Sequence, residues 1–202
     1  MYSFDEPTLV GELATLSPPQ QVAFAAAAAS RQLNSYEWYA RRFQPAALPR
    51  PREIATALWQ ALQAGTTEPN SLSELLEEVM GLLPEESDDW IVCHSLAEDA
   101  LSSLAYALRA LLQADPQEAA WAARRGYEAV DQAAIRALEV QPGSPETELA
   151  IRCHPLVQRE LERQRRDLAF LAAHAGPDAV LAMRNLAAAE PSLSGAELAL
   201  LA

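Results

Sequence analysis

Trp90-Ile-Val-Cys-His-Ser-Leu-Ala-Glu-Asp-Ala-Leu-Ser-Ser-Leu-Ala-Tyr-Ala-Leu-Arg-Ala-Leu-Leu-Gln113 is the stretch that decides the fold. It contains neither Gly nor Pro, so nothing in it breaks a helix. At about 100° per residue, its apolar side chains from Val92 and Cys93 to Leu111 and Leu112 cover an arc of roughly 200°. A surface helix needs only about 100°. Neighbours must therefore cover this one on two sides, which predicts a central buried helix. The polar stripe left over is narrow: Ser95, Glu98, Ser102, Arg109 and Gln113.

The rest of the chain agrees with an all-α class. Half of the 202 residues are hydrophobic and 21% are charged, a globular composition. Gly is scarce, Ala and Leu dominate, and no segment alternates apolar and polar as a half-buried strand would. Helix signals recur along the chain. Ser17-Pro18-Pro19-Gln20 reads as a capping box ahead of the Ala-rich run Val22–Ala29. Asn34-Ser35 reads as a break and restart. Pro51 opens a helix that Gly65 ends, and Asn70 or Ser71 caps the next, which Pro84 stops. Asp115-Pro116 closes the central helix and opens another. Gln141–Pro145 is a turn, His154-Pro155 starts a long helix, and Gly176-Pro177 separates it from a last one. These signals predict one domain over residues 1–202, a bundle of about seven to nine helices, with short flexible ends at about 1–5 and 191–202.

The formal net charge of −13 argues against nucleic acid as a partner. No 18-residue apolar stretch exists to span a membrane. The first residues carry no basic stretch followed by an apolar run. The expectation is a soluble cytoplasmic protein. Charge is unevenly placed: between Glu53 and Arg109 stand ten acidic residues and no Arg or Lys, whereas Arg159, Arg163, Arg165 and Arg166 cluster later. These complementary regions, with an apolar centre from the last helix, make a homodimer a candidate assembly, and another protein a candidate partner. All fifteen basic residues are arginine.

Chemistry is less legible. Cys93-His94 and Cys153-His154 together supply a Cys₂His₂ set, but adjacent residues diverge by about 100° on a helix and rarely reach one ion. Cys93 and Cys153 are expected to be buried and His154 to sit at a helix start; neither metal nor cofactor is expected. The acidic run Glu85–Asp89 reads as charge at a helix N-terminus. Glu98 and Asp99 lie at or beside the polar edge of the central helix, without the His three residues on that a di-metal bundle needs. His174 falls at a helix C-terminus. Tyr36, Trp38, Tyr39 and Phe43 are core aromatics or, alternatively, the wall of a ligand pocket. No catalytic residue is assigned. The reading leans to a non-enzymatic interaction or scaffold protein; the alternative is a small-molecule binder or enzyme with a pocket beside the central helix.

Three segments carry a resemblance. They are Leu83-Pro84 through Trp90 with the helix Ser95–Leu112; His154-Pro155-Leu156-Val157-Gln158-Arg159-Glu160-Leu161 running on to Arg166–Leu171; and Gln20-Gln21-Val22-Ala23-Phe24 followed by Asn34-Ser35-Tyr36. In order and spacing they resemble the YjaG-like bacterial proteins, the domain-of-unknown-function family 416, over about Leu13 to Ala189. The resemblance implies an all-helical cytoplasmic fold and no established activity. The chain departs from that pattern at His154, where the family pattern has Asn before the Pro, and at Gly176-Pro177.

Overall fold

The structure, a computed structural model, describes residues 1–65, 68–85 and 91–201. Ten α-helices stand among them: α1 (Glu6–Leu13), α2 (Pro18–Phe43), α3 (Arg50–Ala64), α4 (Pro69–Gly81), α5 (Val92–Gln113), α6 (Pro116–Leu138), α7 (Pro145–Cys153), α8 (Pro155–Ala173), α9 (Pro177–Ala189) and α10 (Gly195–Ala199). A 3₁₀ turn at Pro45–Ala47 joins α2 to α3. The described residues include no strand, and the class is all-α.

The expected central helix is α5, but it shares the axis with α2. Sixteen of the 26 residues of α2 are buried. The seven alanine and aromatic positions Ala23–Ala29 are all at most 3% exposed. Seven consecutive residues go round a helix nearly twice, so this part of α2 is covered on every side. Small side chains make that arrangement feasible, because they let neighbouring backbones approach closely. α2 packs against α3, α5, α6, α8 and α9.

The break expected at Asn34-Ser35 does not occur: α2 runs through it. Asn and Ser are poor helix-interior residues because their side chains compete for backbone groups. Here tertiary structure overrides that preference. Ser35 is buried, and the Asn34 amide reaches the Leu193 carbonyl at 3.5 Å. Other boundaries move slightly. α4 starts at Pro69, before the expected caps, and ends at Gly81, ahead of Pro84. The turn after Gln141 leads into α7, a helix the sequence did not announce. Ser144 caps it, its hydroxyl accepting from the Thr147 N–H at 3.2 Å. The acidic run lies, from Glu86 on, outside the described residues, as does Trp90.

Several caps match expectation. The Ser17 N–H donates to Gln20 Oε1 at 2.8 Å, and the Asp115 carboxylate accepts from the Gln117 N–H at 2.9 Å. Gly65 adopts φ 61° at the end of α3, a left-handed conformation that favours glycine. His154 caps the start of α8 itself: its Nδ1 accepts from the Leu156 N–H at 3.3 Å. The His174 Nδ1 lies 2.9 Å from the Phe170 carbonyl at the end of α8.

Sequence reasoning missed a buried polar seam. Arg31 of α2 and Asp167 of α8 form an ion pair, with side chains 1% and 2% exposed. Burial pushes the Asp167 carboxyl up from its ordinary value, and Arg31 opposes that push. Removing one partner of such a pair strands a buried charge and costs about 3–5 kcal/mol. Beside it Glu160 accepts from the Ser192 hydroxyl at 3.1 Å and from the Gln164 amide at 3.2 Å. A Cβ built at Gly126 of α6 would sit 3.1 Å from Glu160 Oε1, so glycine lets α8 approach α6 here.

The described segments before α1 and after α9 both make contacts with the bundle. The Tyr2 N–H and carbonyl bond to the Gln158 amide at 2.8 and 2.9 Å, and Phe4 stacks on Tyr127. Glu6 on α1 accepts from Gln117 and Trp121 of α6. At the other end Arg159 grips Glu197 of α10 at 2.7 Å and the Ser192 carbonyl at 2.7 Å. Leu193, Leu198 and Leu201 are buried beside Leu96, Val130 and Leu161.

Leu104 lies mid-α5 with no exposed surface. Leu104→Ala should therefore lose about 2–5 kcal/mol in a denaturant titration. A loss below about 0.5 kcal/mol would contradict the packing described for α5.

Candidate pocket at the α2–α5–α6 junction

The start of α5 carries most of the residues to which a chemistry could be assigned. His94 is the third residue of α5, and its Nδ1 accepts from the Ile91 N–H at 3.2 Å. The ring is held edge-on to Tyr39 and against Phe43, with centroids 5.2 and 4.7 Å away. Cys93 Sγ lies 3.9 Å from the same His94 nitrogen. A general base would need that lone pair free for the thiol; here it serves the helix start. Burial pushes the Cys93 thiol up from its ordinary value, with Arg42 pulling the other way. A raised thiol stays neutral near pH 7 and is a poor nucleophile. Cys93 and His94 thus sit together without forming a nucleophilic pair.

The second Cys-His pair has separate roles. Cys153 is exposed, contrary to expectation, because it ends α7 on the surface; its Sγ lies 3.1 Å from Met1 Sδ. His154 caps α8 and is pushed down from its ordinary value by burial. Among the described residues no group of three or more His, Cys, Asp and Glu side chains is placed to hold a metal ion.

The aromatic cluster divides between both readings. Tyr36 and Tyr39 are core, 0% and 4% exposed, and burial pushes the Tyr36 hydroxyl up to about 12. Trp38 and Phe43 instead face a hollow of about 490 Å³ between the end of α2, the start of α5 and the end of α6. Ile91, Val92 and Cys93 form its second wall, Arg42 and Arg136 contribute two guanidinium groups, and Leu201 closes one side. The Arg42 guanidinium lies 5.0 Å from the centre of the Phe43 ring. Val92 and Arg136 also line an adjoining hollow of about 490 Å³, whose one carboxylate is Glu139.

A larger hollow, about 590 Å³, lies between α8 and the turn after α1. Two carboxylates, Glu12 and Glu162, line it along with its arginines; Arg166 pairs with Glu190, and Arg165 lies over the ring of Tyr2, itself part of the lining, at 4.8 Å. The arginine run of α8 is likewise used within the chain. Arg159 pairs with Glu197, and Arg163 with Glu160 and Glu190. Arg166 turns to Glu190 instead of forming the pair with Glu162 that helical spacing offers.

Of the two carboxylates at the edge of α5, Glu98 is half-exposed and Asp99 is buried, at 2% exposure. One Asp99 oxygen accepts from Arg125 at 3.2 Å; the other has no hydrogen-bond partner. Burial raises this carboxyl to about 7; Arg125 opposes the shift, while Glu128 and Glu98 add to it.

The fold and this hollow define an all-helical bundle with a mostly apolar pocket and no assembled catalytic cluster among the described residues. The chain belongs to the DUF416 family: the model described as "Protein of unknown function (DUF416)" matches residues 8–192. The crystal structure of a DUF416 family protein from Shewanella baltica OS155 is similar, with a TM-score of 0.75, 19% sequence identity, and coverage of 93% of this chain and 94% of that one. At that identity the likeness speaks for the fold. Comparison with curated proteins returns no match.

Asp99 has a measurable consequence. Its folded-state value lies above its ordinary 3.8, so the folded protein holds an extra proton between about pH 4 and 7. That contribution to stability is present at low pH and is lost as pH rises through the window. Asp99→Asn removes the dependence. The stability of the variant relative to the wild type should therefore rise from pH 4 to 7, by on the order of 3 kcal/mol. Urea titrations across the range test this, and a difference that stays flat contradicts the assignment.

Proposed function

We propose that the protein is a non-enzymatic binder of a small organic molecule, seated at the α2–α5–α6 junction. The observation that carries this reading is the hollow of about 490 Å³ with aromatic and aliphatic walls and two convergent arginines. Ligand sites typically measure about 300–1,000 Å³, and combine apolar lining with a few placed polar groups. Binding is favoured over catalysis because the neighbouring thiol is neutral and the His94 nitrogen nearest it is occupied at the helix start.

The scaffold reading has less support. Large exposed apolar side chains such as Met80, Leu149 and Leu181 stand on three different helices, α4, α7 and α9. Homodimer formation loses its electrostatic argument, since Arg159, Arg163 and Arg166 pair within the chain. What remains in its favour is Leu181, 45% exposed on α9. No helix of the described residues is long and apolar enough to cross a membrane. The binder is envisaged as a soluble bacterial cytoplasmic protein, and its net charge of −13 disfavours nucleic acid as the ligand.

Native mass spectrometry of protein purified under non-denaturing conditions from bacterial extract tests the reading. Wild-type protein should carry a small-molecule adduct that organic solvent releases, and Val92→Trp, which fills the hollow, should lack it. Bare masses for both proteins, even after incubation with fresh extract, would contradict it.

A further inference from the structure

We infer that the molecule held at the α2–α5–α6 junction is an organic anion: a flat apolar body bearing a carboxylate, sulfonate or phosphate. The inference rests on the pocket reading above and adds the chemical class of the ligand. Three features of the lining carry it.

The first is charge selection. The chain has 28 acidic residues against 15 arginines. A hollow drawn at random from such a surface would show carboxylates. Here the described lining has none, while Arg42 and Arg136 reach it from different helices. Neither arginine makes an ion pair among the described residues, whereas ten of the others do. Planar guanidinium groups match the geometry of two-oxygen and three-oxygen anions.

The second is the backbone. Val92 and Cys93 are the first two residues of α5, so the positive end of a 22-residue helix opens on the hollow. Helix N-termini favour anions there. The third is the apolar wall, part of which the Arg42 guanidinium itself overlies, 5.0 Å from the centre of the Phe43 ring. Trp38 and Phe43 present aromatic rings, with Ile91 and Leu201 beside them. Such surfaces suit a flat apolar body better than a sugar or a peptide backbone. Cys93 contributes a neutral thiol at the back, which adds no charge to repel the anion. Two described carboxylates nearby stand outside the described lining: Glu139, in the adjoining hollow, and Glu85, whose charge reaches Tyr39.

Two fluorescent probes with the same aromatic body separate the charge from the apolar part. One is 8-anilinonaphthalene-1-sulfonate; the other is N-phenyl-1-naphthylamine, which lacks the sulfonate. Each is titrated into wild-type protein, the Arg42→Gln/Arg136→Gln double variant, and Val92→Trp. The arginines are exposed, so the double variant should fold normally, which its thermal midpoint checks. The anionic probe should bind the wild type, lose about tenfold or more of its affinity in the double variant, and weaken with added salt. The neutral probe should bind wild type and double variant alike. Both should fail to bind Val92→Trp. If both probes bind the wild type and neither responds to loss of the arginines, the pocket stands and the anion class is overturned. If neither probe binds, or Val92→Trp binds both as the wild type does, the pocket reading falls and this inference with it.

Discussion

The structure depends on the close contact between the alanine face of α2 and the leucine-rich α5. Ala23 and the run Ala25–Ala29 are small enough for helices to approach α2 from all sides, and Leu101, Leu104 and Leu108 of α5 fill the space with no exposed surface. The leucines supply apolar area; the alanines permit the approach, and dense packing follows. Once α2 is enclosed, its polar residues have to find partners inside. Arg31 takes Asp167 of α8, and Trp59 of α3 donates to Ser30 at 3.0 Å. Ser103 of α5 donates to the Ala122 carbonyl of α6 at 2.9 Å. Such pairs add little net stability compared with apolar packing, but breaking one is costly. They fix which helix lies against which.

The pocket follows from the same arrangement. α2 is long, and beyond its enclosed middle the chain switches from alanines to Tyr36, Trp38, Tyr39 and Phe43. The first and third of these complete the core beside His94. The other two overrun it and line the hollow at the start of α5. Leu201, held in place through the Arg159–Glu197 pair on α10, supplies a further wall. Burial and charge pairing hold the C-terminal segment there, and the Arg159 contact keeps the Glu197 carboxyl at about 2, so this pair persists across ordinary pH.

Hydrophobic period was enough to read α5, because a 200° arc has one structural meaning. Caps at Ser17 and Asp115 were legible because each sets a side-chain acceptor, Gln20 Oε1 or the Asp115 carboxylate, beside an N–H that the helix leaves unpaired; at His154 the helix start was legible and the imidazole cap was not. The unbroken course of α2 was not legible. Asn34 and Ser35 carry a local preference against helix, and the contacts that overrule it come from residues far along the chain. Arg31 and Asp167, 136 residues apart, look like ordinary surface charges until the fold brings them together. Asp99 misled in the opposite sense, since its place next to the polar stripe concealed its burial against Arg125. Of the candidate site, the aromatics and Cys93 were visible as residues. Their division between core and pocket wall, and the arrival of Arg136 from α6, depend on tertiary geometry alone.

Native-state hydrogen exchange tests the central claim, that the enclosed α2 and α5 hold the bundle together. Amides of α2 from Ala23 to Gln32 and of α5 from Ala97 to Leu108 should exchange only through global unfolding, with the same free energy and the same denaturant dependence. If the α2 amides open at a free energy well below that of α5, α2 is a peripheral helix and the account is wrong.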